Sequence, residues 1–137
     1  MKNNKGFSLV ELIIVIAIMA ILVGVMAPQL IKYIEKTNES ADTQLCDSVR
    51  TAVITASMDP DVVKETGEGL LDGTHDLDGC FAGSKTKCAA YDILGVTAAD
   101  SLKIKSKAAS GKKISVIVEN SNTVTVKLTD SIKSGTK

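Results

Sequence analysis

The chain has 137 residues, enough for one modest domain with a real core. Its basic and acidic side chains balance at 16 each, so no global positive charge points to nucleic acid as a partner. Aromatic residues are 3% of the chain and Trp is absent, which argues against a base-stacking platform or an aromatic sugar-binding surface.

Hydrophobic residues make up 45% of the chain but are unevenly spread. Residues 7–31 hold a dense apolar block, preceded by Lys2 and Lys5. From Phe7 to Ala27 the only strongly polar residue is Glu11. As a helix this stretch spans about 30 Å, the hydrocarbon thickness of a bilayer. The two lysines before it, with no comparable basic cluster immediately after, leave the N-terminus cytoplasmic and the C-terminal part outside.

Three ordinary readings compete for this block. A cleaved secretory signal wants a small-x-small site, and the nearest candidate, Met26-Ala27, is followed by Pro28. A plain single-span anchor explains the hydrophobicity but not Glu11. A buried core helix would not be apolar on every face. A carboxylate in an apolar span costs about several kcal/mol unless it is neutralised or paired, which marks Glu11 as functional. Its natural partner is a cation at the same depth. A cut after Gly6 would create one: the new α-amino group of Phe7, one helical turn from Glu11, in the same chain or in a staggered neighbour.

The run Lys5-Gly6-Phe7-Ser8-Leu9-Val10-Glu11, followed by the apolar span, closely resembles the signal sequence of type IV prepilins and type II secretion pseudopilins. The resemblance covers roughly residues 1–58 well. It implies that a membrane aspartyl peptidase, the prepilin peptidase, cuts after Gly6 and that Phe7 is N-methylated. It also implies that Glu11 pairs with a neighbour's N-terminus and sets register. Ser8 stands where Thr is common in the family. Removing residues 1–6 takes Lys2 and Lys5 and leaves the mature side chains slightly acidic, 14 against 16.

Ala17, Ala20, Gly24 and Ala27 recur at three- and four-residue steps, a stripe of small residues that lets helices approach closely. Pro28 cannot donate a backbone N–H and should loosen the turn before it, and Gly24 adds softness there. The resemblance implies that the helix between Gly24 and Pro28 extends when filaments form. Beyond Pro28 the pattern turns amphipathic. Leu30, Ile34, Ala41, Leu45, Val49, Ala52 and Ala56 return on a helical period, while Lys32, Glu35, Lys36, Glu39, Asp42, Asp47 and Arg50 take much of the other face. With no Gly or Pro between Pro28 and Pro60, one helix is predicted from about Phe7 to Met58, near 75–80 Å long.

Asp59-Pro60-Asp61 ends that helix, and glycines punctuate residues 59–100. Short helical turns are predicted near Val62–Glu65 and Ala89–Leu94. Asp72, Asp76 and Asp78 alternate around His75 as calcium loops do, but the full ligand spacing is missing, and the segment reads as a solvated acidic turn. His75 has no Ser or Cys partner at recognisable spacing. Cys46, Cys80 and Cys88 allow one disulfide and one free thiol. Cys80 with Cys88 closes a short loop, and Cys46 with either would staple a loop to the helix. Three reduced cysteines are the alternative, and the spacing fits no structural zinc pattern.

Three strands are predicted in the last third: Leu102–Lys105, Ile114–Val118 and Val124–Leu128, the last two flanking a hairpin turn at Asn120-Ser-Asn122. The lysines there, including Lys112 and Lys113, make a locally basic patch on a solvated sheet face. The fold class is therefore α+β: a long N-terminal helix, transmembrane in its first half and amphipathic in its second, packed on a small antiparallel sheet of about three strands. The predicted divisions are a leader at 1–6, a membrane and assembly helix at 7–28, and a globular domain at 29–137. That domain comprises helix 29–58, a connection 59–100 and a sheet 101–130.

No nucleotide loop, triad, metal cluster or paired catalytic carboxylate appears, so an enzyme, a cofactor and a bound metal are not expected. The resemblance implies a structural subunit of a type IV pilus, moving from the cytoplasmic membrane into an extracellular filament used for adhesion, surface motility or aggregation. Its implied partners are further copies of the chain, the membrane, the prepilin peptidase, the assembly platform with its ATPase, and host or bacterial surfaces. Nucleic acid is not expected. A pseudopilin of a secretion system and a membrane-tethered binding module are the alternatives. The first would favour a true calcium site, and the second would leave Gly6 uncut and Glu11 dispensable.

Overall fold

The protein is described by a computed structural model covering residues 6–62, 70–77, 79, 84–120 and 122–130, with the backbone alone at 84–88 and 100. One helix, α1, runs Leu9–Ser57. A strand, β1, follows at Gly73–Asp76, then a second helix, α2, at Ser84–Leu94. A 3-10 turn at Ala99–Ser101 leads to β2 at Lys113–Glu119 and β3 at Thr123–Thr129. The chain divides into two compact units, Met1–Thr37 and Asn38–Lys137.

In the first unit, α1 carries Leu9 to Ile34 with its large apolar side chains all exposed. It is long and apolar enough to cross a membrane. Nothing within the unit supports a helix of this composition in water, where most helical stability comes from packing of an apolar face.

In the second unit, α1 becomes one wall of a core. Val49, Val53 and Ala56 are buried against Leu70, Leu77, Ala90, Tyr91, Ile114, Val116, Val118 and Val124, with Leu45 half-buried at the margin. The predicted stripe from Leu45 to Ala56 is thus the buried one. Each fully buried aliphatic side chain contributes about 1.5–3 kcal/mol. Thr43, Ser48 and Thr51 lie on the exposed side and donate their hydroxyls to the carbonyls of Glu39, Gln44 and Asp47 at 3.0, 2.9 and 3.0 Å. Those bonds satisfy hydroxyls that would otherwise compete for the helix backbone.

Asp42 departs from the sequence reading. It was expected on the solvated face and is instead only 3% exposed. Its position three residues before Leu45 and seven before Val49 places it on the core stripe. A carboxylate survives there because it is fully bonded. The backbone N–H groups of Lys105 and Ser106 donate to Oδ1 and Oδ2 at 2.7 and 2.8 Å.

The sheet has the order β1-β2-β3, antiparallel throughout. Val116 lies opposite His75 on one side and Val126 on the other; Val118 lies opposite Gly73 and Val124. The period-two pattern of β2 sends Ile114, Val116 and Val118 into the core. Ser115 is buried as well, its hydroxyl bonded to that of Thr129.

Two of the three expected strands are in place, and one is not. Leu102–Lys105 forms no strand; the third strand is Gly73–Asp76, expected as a solvated turn. The alternation of Leu102 and Ile104 with lysines is real, since both apolar residues are half-buried. It serves an extended segment tied to α1 through Asp42, where no ladder forms. The β2–β3 turn falls as expected at residues 120–122. Asn120 has φ 56°, a left-handed conformation Asn tolerates better than most residues, and the Asn122 N–H donates to the Glu119 carbonyl at 3.3 Å.

The expected turn at Ala89–Leu94 is the end of the longer α2. Gly95 closes it with φ 66°, and the Val96 N–H reaches back to the Tyr91 carbonyl at 3.0 Å, the Schellman arrangement. Residues 60–62 are helical, while the rest of the turn expected at Val62–Glu65 lies outside the described residues.

Candidate functional site

The start of α1 is built by a four-residue signature, Ser8-Leu9-Val10-Glu11. Gly6, Phe7 and Ser8 are not helical, and Phe7 is 93% exposed. Ser8 is the cap: its carbonyl accepts the Leu12 N–H at 3.3 Å, and its Oγ accepts the Val10 N–H at 3.4 Å. The Glu11 carboxylate reaches back, and the Ser8 N–H donates to Oε2 at 2.9 Å. The Glu11 half of a capping box is thus formed, with the Ser8 hydroxyl on the amide of Val10 in place of that of Glu11, and backbone donors that a helix end leaves orphaned are satisfied. The box's signature, Ser followed three residues later by Glu ahead of an apolar run, is legible in the sequence and was missed there. Glu11 also sits in the first turn, where the positive end of the helix dipole favours a carboxylate.

The Gly6–Phe7 peptide bond therefore lies in open chain just ahead of a capped helix. A side chain at position 6 would meet nothing within 4 Å, and the same holds at Gly24. Among the described residues no contact requires glycine at either place. Pro28 stands inside α1, four residues after Gly24. In an α-helix the N–H of residue 28 would bond the carbonyl of residue 24, so proline leaves the Gly24 carbonyl without its usual donor. Gly24 and Pro28 thus weaken the same turn from its two ends.

Of the three cysteines, Cys46 is a free thiol, half-buried on α1. Burial, together with the charges of Asp42 and Asp47, pushes the thiol above its ordinary range and keeps it protonated. The side chains of Cys80 and Cys88 lie outside the described residues. His75 sits in β1, with Nε2 placed 3.2 Å from the Asp72 carbonyl. Among the described residues no three His, Cys, Asp or Glu side chains gather as metal ligands would.

The residue that sequence reasoning missed is Asp42. Burial raises its pKa, but the hydrogen bonds from Lys105 and from the Ser106 backbone and hydroxyl, with the Lys105 charge, outweigh burial and hold it below the usual carboxylate range. Its position on the 3.6-residue stripe was the available signal.

Comparison with known proteins bears on the same segment. Residues 1–27 match the model of the prokaryotic N-terminal methylation motif. The chain is 38% identical over 97 residues to the type IV major fimbrial protein FimA of Dichelobacter nodosus, covering 69% of this chain and 60% of that protein. It is 34% identical over 128 residues to a fimbrial protein of the same organism, covering 81% of this chain and 78% of the relative. It is 47% identical over 51 residues to the type IV wide pilus major component PilA4 of Thermus thermophilus, covering 36% of this chain and 39% of that protein. The chain thus spans less than two thirds of the length of the first and third of these relatives. No solved structure matches. The methylation motif at the start of α1 and a fimbrial relative matched along most of its length agree, and the chain belongs to the type IV pilin family.

Proposed function

We propose that the protein is the structural subunit of a type IV pilus, held in the cytoplasmic membrane by the first half of α1 and then polymerised into a cell-surface filament. The observation that carries this reading is the first unit itself: a helix whose large apolar residues from Leu9 to Ile34 are all exposed, its start capped by Ser8 and Glu11. Such a surface needs lipid or other helices around it. Members of this family are structural subunits, and an enzymatic role is not part of the reading.

In this reading the prepilin peptidase removes residues 1–6, and Phe7 becomes the methylated N-terminus. The exposed, non-helical Gly6–Phe7 bond suits a protease, which binds its substrate in extended form. The Phe7 amine of one copy then meets Glu11 of a staggered neighbour, replacing the Ser8 N–H as partner of the carboxylate. Charge neutralisation removes the cost of an isolated carboxylate in an apolar bundle. The softened turn between Gly24 and Pro28 lets the helix adjust its path as it leaves lipid. An assembly platform and its ATPase supply the work of extraction, and the filament serves adhesion, surface motility or aggregation.

The test is the intact mass of the protein in material sheared from its native cells. The expected mass lacks residues 1–6 and carries one added methyl group. A full-length mass would refute processing and favour a tethered module. A processed form confined to the membrane would favour a pseudopilin.

A further inference from the structure

From Leu102 to Lys107 burial alternates strictly: Leu102 and Ile104 are half-buried and Ser106 is buried, while Lys103, Lys105 and Lys107 are exposed. The segment is an extended ribbon with lysines on its outer side, repeating at about 6.8 Å. Lys112 and Lys113 follow, and no Asp or Glu occurs between Ser101 and Val118. Asp42 pins this ribbon to α1 through the Lys105 and Ser106 amides and offsets only part of its charge.

The other end of this helical segment is acidic. α1 stops at Ser57 with no basic residue in its last turn. Asp59 and Asp61 come next, both exposed. The Asp61 N–H donates to Asp59 Oδ1 at 2.9 Å, so Asp59 caps the helical residues 60–62 while both carboxylates stay exposed. Asp42 and Ser57 lie about 22 Å apart along the helix axis. Among the described residues, the exposed lysines of the ribbon thus form a basic pole beside Asp42, partly offset by Glu39 and Asp47, and the exposed Asp59 and Asp61 form an acidic pole at the other end of this helical segment.

We infer that the two poles meet between copies: the Lys103–Lys105 ribbon of one subunit docks on the Asp59–Asp61 pole of α1 in the next. The inference rests on the filament reading above and gives it a contact outside the apolar helix. Charge complementarity selects a second copy as the occupant, because the chain is balanced overall and each pole supplies what the other lacks. With the copies parallel, as the filament reading has them, the contact joins different surfaces head to tail and propagates as an open polymer where its rotation does not close a ring.

The experiment is performed in native cells with full-length chains, reading pilin in the sheared fraction against pilin in membranes. Lys103→Glu with Lys105→Glu, and separately Asp59→Lys with Asp61→Lys, should each lower the sheared fraction by roughly tenfold or more, the equivalent of one lost or repelled contact. Combining all four changes should restore it. Normal sheared fractions in both reversals, or no restoration in the combination, would overturn the proposal. Should a reversed chain fail to accumulate, Lys105→Cys with Asp61→Cys is tested by crosslinking sheared filaments. A ladder of multimers beyond either single-cysteine control is expected, and monomers alone would overturn the proposal. If the wild-type chain is itself absent from the sheared fraction, the filament reading falls first, and the docking proposal with it.

Discussion

Replacing Asp42 by Ala tests how the second unit is held together. The carboxylate accepts the Lys105 and Ser106 amides at 2.7 and 2.8 Å, and it is 3% exposed. Hydrogen bonds to a charged group contribute about 1.5–3 kcal/mol each, and a buried donor left unsatisfied costs about 1–3 kcal/mol. The Ser106 bond is buried and the Lys105 bond partly so, which sets the loss for Asp42→Ala at about 3 kcal/mol. For a unit of this size that lowers Tm by about 10–20 °C. Asp42→Asn is no rescue, because its amide can accept from one N–H while presenting its own donors to the other. The assay is thermal unfolding by circular dichroism of the full chain in detergent, with hydrogen exchange at Lys105 and Ser106. The pH dependence supplies a second check. The folded carboxyl lies below its ordinary range, so its contribution is fully present above about pH 4 and is lost as pH falls through the lowered value. The gap between the wild-type and Ala curves should therefore narrow in strong acid. A loss below about 1 kcal/mol at neutral pH, with both amides still protected, would refute the reasoning.

Glu11→Gln keeps an acceptor for the Ser8 N–H but removes the charge. The membrane-stored protein should persist while sheared filaments disappear, and filaments at wild-type abundance would refute the pairing with Phe7. Gly24→Ala meets no contact among the described residues and should leave the stored protein's abundance unchanged, with helix propensity improved by about 1 kcal/mol. Its sheared fraction should nonetheless fall, and an unchanged one would show that neither softness nor close approach is needed at that turn. Cys46 should resist alkylation in the native protein at neutral pH and react after denaturation without reductant, read by intact mass. Rapid native labelling would contradict its raised pKa. Asn120→Val should cost about 1–2 kcal/mol in thermal unfolding because the turn holds this residue at φ 56°, whereas Asn120→Gly should cost much less.

Periodicity made the long helix legible, because nothing between Pro28 and Pro60 interrupts it and its apolar positions repeat on one face. The hairpin was legible because alternating β-branched runs flank an Asn-rich turn. The third strand was not. Gly73–Asp76 contains no β-branched residue except Thr74, and only β2's pairing register makes it a strand. Leu102–Lys105 has the better strand pattern, yet alternation reports only that one side of an extended segment is covered. What covers it depends on Asp42, a contact across more than sixty residues of chain that no local pattern encodes. At the functional end the division runs the other way. Glu11 stood out because a lone carboxylate in an apolar run has no ordinary explanation. Its bond to the Ser8 N–H was equally local, but the family pattern drew attention to cleavage and away from capping.

The two units obey different stability rules, and this follows from where apolar surface is covered. In the second unit Val49, Val53, Val116, Val118 and Val124 are buried among themselves, so its fold carries its own driving force. In the first unit the apolar surface from Leu9 to Ile34 has no cover among that unit's described residues. A helix with that surface is stable only in lipid or against other helices, and lipid offers no hydrophobic gain over a helical neighbour. Transfer between the two is then close to neutral per residue for the apolar side chains, and the balance shifts to the few polar groups. On the proposed reading Glu11 is the strongest of these, because its carboxylate would gain a full opposite charge only where another copy's N-terminus reached it. On this reasoning one residue among the first twenty-seven sets the direction of the transfer, while the apolar majority makes it reversible.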